Sequence, residues 1–124
     1  MKASDFLRII LGFNFLFHLI SRLFSGIPDF AQWMSLKFEE TFIPASFTTP
    51  FAFILPFIEG IIGLLLILNL FTKTAVYAGF IVLLILISGT SLLADWNLVA
   101  FQMLYVLIFY FVLKDIEKKE KLST

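Results

Sequence analysis

Four long apolar stretches constrain this chain more than any other feature. A hydrocarbon core of roughly 30 Å is crossed by about 20 mostly apolar residues in α-helix. Such stretches run from about Phe6 to Gly26, Phe51 to Phe71, Thr74 to Leu93 and Trp96 to Leu113. The last is short by count, and Trp96 and Lys114 stand where interfacial side chains complete a span. Of 124 residues, 60% are apolar and 15% charged, whereas a soluble domain is about 45–50% apolar and about a quarter charged. A soluble core of this length has no room for that much apolar surface. High hydrophobicity excludes disorder. A formal net charge of zero excludes nucleic acid as a partner, since that requires a basic face. The expectation is an all-α membrane domain over residues 1–124, a four-transmembrane-helix bundle with a long outer loop between helices one and two.

The connections are unequal. Thr72 and Lys73 form a tight link, and Ala94, Asp95, Trp96 and Asn97 form another. Residues 27–50 make the long connection, with Pro28, Pro44 and Pro50. Within it Phe30, Met34, Phe38 and Phe42 recur every four residues, with Asp29, Glu39 and Glu40 outside the stripe. That spacing suits a short interfacial amphipathic helix; an ordered loop packed on the bundle is the alternative. Lys2, Arg8, Lys73, Lys114, Lys118, Lys119 and Lys121 fall on one side of the membrane, and only Arg22 and Lys37 on the other. The positive-inside rule then predicts a multi-pass protein of a bacterial-type inner membrane. Both termini, including a basic tail over 114–124, are expected in the cytoplasm. Arg8, Asn14 and His18 interrupt the first apolar run, and no small-residue cleavage site follows, so it reads as a span and not as a signal peptide.

Polar groups within the spans carry the functional information, because an ion in hydrocarbon costs about 2.5–3.5 kcal/mol even on insertion scales. In helix one, Arg8, Asn14, His18 and Arg22 project from about a third of the circumference at 100° per residue. Helix two carries Glu59, three residues after Pro56 and four before Gly63. Pro56 can kink the helix, and Gly60 and Gly63 admit a neighbouring backbone. At 1.5 Å per residue, His18 and Glu59 both lie ~12 Å below the outer boundary, and Gln102 and Tyr105 ~9–14 Å below it. Arg22 sits one turn above His18. These five residues are the candidate ligand-binding and proton-exchange set. Arg8, Asn14, Asp95 and Trp96 are secondary candidates. Arg8 can snorkel to phosphates at the inner boundary, while Asp95 and Trp96 mark the outer turn. A bundle-locking ion pair is the competing structural reading of Glu59.

Cysteine is absent, which removes disulfides, zinc–thiolate sites and thiolate-held iron–sulfur clusters. The single histidine cannot form a bis-histidine haem site, and no GxGxxG stretch offers a dinucleotide fold. His18 and Glu59 alone would under-ligate a metal, so none is expected. A redox cofactor would be a lipid-soluble ligand or belong to a partner.

The residues resemble the DoxX family of small four-helix membrane proteins. The resemblance rests on Leu7-Arg8-Ile9-Ile10-Leu11-Gly12 with His18 and Arg22, and on Glu59-Gly60-Ile61-Ile62-Gly63 followed by Leu70-Phe71-Thr72-Lys73. Gly89-Thr90-Ser91-Leu92-Leu93-Ala94-Asp95-Trp96-Asn97 and Gln102-Met103-Leu104-Tyr105 add to it. Lys73 stands where arginine is common, and Leu19 where a small residue is common. The resemblance implies a membrane subunit, associated in some members with quinone-linked oxidation of sulfur compounds beside a second subunit. The expected partners are the lipid bilayer and either a redox subunit or further copies of the chain. The leading reading is a binder of a small lipophilic ligand such as a quinone in an outer-half polar cavity. The alternatives are a proton-coupled small transporter using Glu59 and a non-catalytic assembly subunit.

Overall fold

The computed structural model describes residues 1–123 and is helical almost throughout: α1 (Ala3–Ser25), α2 (Ile27–Lys37), α3 (Ala45–Leu68), α4 (Thr72–Leu92) and α5 (Trp96–Ser123). Four of these, α1, α3, α4 and α5, are long and apolar enough to cross a membrane, which matches the four expected spans. Their outward faces carry large apolar side chains, including Phe6, Ile10, Phe13 and Phe17 on α1 and Ile61, Leu64 and Leu68 on α3. A contiguous apolar exterior of this kind suits a lipid environment and not water.

The inner packing is built on small residues and one aromatic knot. α1 runs against α3 with Gly12 facing Gly63; a Cβ on Gly12 would stand 2.8 Å from the Gly63 carbonyl oxygen. Backbones meet this closely only where side chains are missing, the usual device between membrane helices. Phe109 of α5, fully buried, meets Phe15 of α1 edge-on at 5.3 Å and rests on Gly79 of α4. Arg8 donates to the carbonyls of Leu66 and, at 3.4 Å, Ile67. Its charge therefore sits on the negative end of the α3 dipole, with Asp5 3.7 Å away.

Helix boundaries differ from expectation in ways the local chemistry explains. Of the expected long outer loop over 27–50, residues 27–37 form α2 and 45–50 begin α3, so only residues 38–44 are non-helical. Gly26 (φ 98°) reverses the chain between α1 and α2, a conformation that glycine adopts without steric cost, and Pro28 lies in the first turn of α2. The four-residue stripe holds for Phe30, Met34 and Phe38, which turn inward, and fails at Phe42, which is 83% exposed. The Thr41 hydroxyl breaks the period: it donates to the Phe38 carbonyl at 2.7 Å and accepts from the Ile43 N–H at 3.2 Å.

α3 starts at Ala45, ahead of Pro50. Thr48 and Thr49 lie 3.3 and 2.7 Å from the Ser35 hydroxyl of α2, so docking on α2 extends the helix across a proline that reads as a stop. Its other end comes earlier than Phe71. Asn69 adopts the left-handed conformation, which it tolerates better than most residues, and its side chain accepts from the Thr72 hydroxyl at 2.6 Å.

The basic tail expected after Leu113 continues α5 as helix. Asp115 pairs with Lys119 at 3.2 Å, and Glu120 reaches back to Lys73 at the start of α4 at 2.9 Å. Twenty-eight residues span ~42 Å at 1.5 Å per residue, about 12 Å more than the hydrocarbon core.

Candidate functional site

The site begins with a carboxylate that the fold has buried. Glu59 lies on the face of α3 that turns toward α1, with only 8% of its side chain exposed. The next turn, Gly60 to Gly63, is the one against which α1 packs most closely. A buried carboxylate needs a partner, and α1 supplies it: His18 Nδ1 donates to Glu59 Oε2 at 2.6 Å. Among the described residues the His18 Nε2 has no partner, and its side chain remains 39% exposed. The bond at Nδ1 sets the tautomer and leaves the second nitrogen for another molecule. Phe15, one turn before His18, stacks on the imidazole at 5.9 Å and 12°.

The exposed side of this pair opens onto a cavity of about 250 Å³, lined also by Phe15, Leu83, Leu86, Leu98, Phe101, Gln102 and Tyr105. Gln102 is held in place by Thr90 of α4, whose hydroxyl donates to Gln102 Oε1 at 2.8 Å. Tyr105 meets the Phe15 ring edge-on at 6.1 Å. Four expected residues, His18, Glu59, Gln102 and Tyr105, therefore share one wall system contributed by α1, α3 and α5. A larger groove of about 720 Å³ runs from the same pair toward the α2 end of the bundle.

The remaining candidates are placed elsewhere. Arg22 lines the groove, but its guanidinium lies over the Phe30 ring of α2 at 4.1 Å and not against Glu59. Among the described residues it makes no ion pair. Cation–π attraction is stronger where water is scarce, which accounts for an arginine satisfied by an aromatic face. Asp95 lies on the groove wall, and its carboxylate accepts from the Leu98 N–H at 3.3 Å, capping the start of α5. Trp96 is exposed. Asn14 is half-buried and lines neither cavity. Arg8 is at the opposite end of the bundle, engaged with the α3 carbonyls.

Sequence reasoning missed Phe15 and the α2 aromatics as wall residues, and the bond between Thr90 and Gln102. Phe15 and Thr90 carried a signal: one lies three residues before His18 on the same helical face, and the other belongs to the hydroxyl cluster near the end of α4. Phe30 and Trp33 become wall residues only because α2 folds back over α3.

Comparison with known proteins adds a family and little else. No curated protein and no solved structure gives a significant match. The family model described as DoxX matches residues 3–95, from the start of α1 to the Asp95 cap. With the resemblance covering three of the four spanning helices and both members of the His18–Glu59 pair, the chain belongs to the DoxX family of membrane proteins.

Proposed function

We propose that this DoxX protein binds a small lipophilic ligand bearing hydrogen-bonding oxygens, of which a quinone is the best fit, at the His18–Glu59 pair. One observation carries the reading: a buried carboxylate holds an imidazole whose other nitrogen is unpartnered and beside a cavity. An intramembrane ionisable group is a functional site by default, and this one is built as a proton relay from carboxylate to ring to ligand. His18 Nε2 exchanges a proton with the ligand oxygen or hydrogen-bonds to it. Glu59 orients the ring through its bond to Nδ1, while Gln102 and Tyr105 offer further polar contacts. If the ligand is a quinone under reduction, its electrons come from a partner redox subunit.

The distribution of lysine and arginine supports a topology with the termini in the cytoplasm, in which the pair would lie in the outer half of an inner membrane. The decisive test is a titration of a benzoquinone into protein held in lipid nanodiscs. Glu59→Gln keeps the shape and removes the charge that orients His18, and is expected to weaken binding by about tenfold or more, the worth of a charged hydrogen bond. Unchanged affinity in that variant rejects the assignment and leaves the pair as a helix-locking contact.

A further inference from the structure

The 250 Å³ cavity beside His18 falls below the ~300–1,000 Å³ that small-molecule sites usually enclose. The groove of about 720 Å³ falls within that range. The two are not separate: His18, Glu59, Leu86, Leu98 and Gln102 line both. His18, Glu59 and Gln102 are the polar groups at the junction, and Thr48, Ser88, Thr90 and Asp95 add polar atoms along the groove. Away from the junction the groove runs between Phe47, Phe51 and Leu55 of α3 and Leu84 and Ile85 of α4 under Met34 of α2. Leu84 is 67% exposed and Ile85 44%, so the wall formed by α4 opens sideways on the surface that faces lipid. The cations near the α2 end are both engaged with rings, Arg22 over Phe30 and Lys37 over Trp33 at 5.7 Å, and most of the remaining groove lining is apolar.

We infer that the occupant is an amphiphile with a single oxygen-bearing ring and a long hydrocarbon chain, which enters sideways from the bilayer between α3 and α4. Its ring lies in the small cavity against His18, and its chain lies in the groove. This rests on the ring assignment proposed above and extends it to the class of ligand and its route. A chain already dissolved in lipid gains nothing from the hydrophobic effect on entering the groove, since lipid tails are as apolar as leucine. Its gain is packing against fixed walls.

The test compares benzoquinones bearing a methyl or a decyl chain, titrated into the full chain in nanodiscs, with dissociation constants expressed per mole of lipid so that bilayer partition cancels. The decyl homologue is expected to bind on the order of tenfold more tightly, the yield of about ten additional carbon contacts. Ile85→Trp at the groove mouth is expected to bring the two homologues within about twofold while methyl binding is unchanged, because a bulky ring displaces the chain. Ser88→Trp, on the same wall, is a second block should the first disturb folding. Equal affinities in the unaltered protein, with both homologues weakened by Glu59→Gln, overturn the chain groove and retain the ring site. A chain preference that Glu59→Gln does not weaken overturns the continuous head-and-tail placement. No binding of either homologue overturns both.

Discussion

At the residue scale, the bundle depends on a few positions where a side chain is absent and a few where one must be satisfied. Gly63 is of the first kind. A Cβ there would stand 3.1 Å from the Phe15 carbonyl carbon and closer still to the Gly12 oxygen and Leu16 nitrogen, all backbone atoms that cannot rotate away. Gly63→Ala is therefore expected to destabilise the protein by about 1–3 kcal/mol, the usual range for overpacking. Gly89→Ala meets only a Phe38 ring edge at 3.1 Å and is expected to cost about 0.5 kcal/mol or less. Thermal unfolding in one detergent checks both, and equal effects would refute the backbone argument. His18 and Glu59 are of the second kind. Their meeting was legible in the sequence because two antiparallel helices of known rise put them at one depth. The partner of Arg22 was not legible. Choosing between a carboxylate and an aromatic face required the position of α2, which a pattern of spacings does not locate.

At the element scale, the type of every long helix was legible and its ends were not. Apolar length identified the spans, but the ends are decided by contacts that cross the sequence. Ser35 draws the α3 start through Pro50, and Glu120 holds the end of α5 against α4. Turn strain is a second local matter. Ala94 sits at φ 55° between α4 and α5, where an L-residue with a Cβ costs roughly 1–2 kcal/mol. Ala94 is exposed, so no packing is lost on removing its methyl. Ala94→Gly is expected to raise stability by about 0.5–1 kcal/mol after the entropy of the unfolded glycine is subtracted. An unchanged or lowered unfolding midpoint would show that the turn carries no strain.

At the scale of the whole molecule, the outward apolar faces suit a bilayer, and the lysines at one end predict which way the chain sits in it. The lack of native cysteine makes the sidedness simple to measure. A single cysteine at Gln32→Cys, on the exposed side of α2, is expected to react with an impermeant maleimide in intact spheroplasts. One at Lys118→Cys, on the protruding end of α5, is expected to react only after permeabilisation. The opposite pattern would invert the topology and move the His18 cavity to the inner half of the membrane. α5 lies almost wholly beyond the DoxX match at residues 3–95, yet it contributes Gln102 and Tyr105 to the cavity. The shared part of the architecture thus holds the His18–Glu59 pair, and the unmatched helix finishes the wall around it.

The bond between His18 and Glu59 also bears on how the chain is made. α1 is the least apolar of the four spans, and the carboxylate that satisfies its imidazole follows 41 residues later. When α1 leaves the ribosome its histidine has no companion in the bilayer, and a lone polar group there is expensive. The imidazole of α1 therefore gains its carboxylate only once α3 has entered the bilayer beside it.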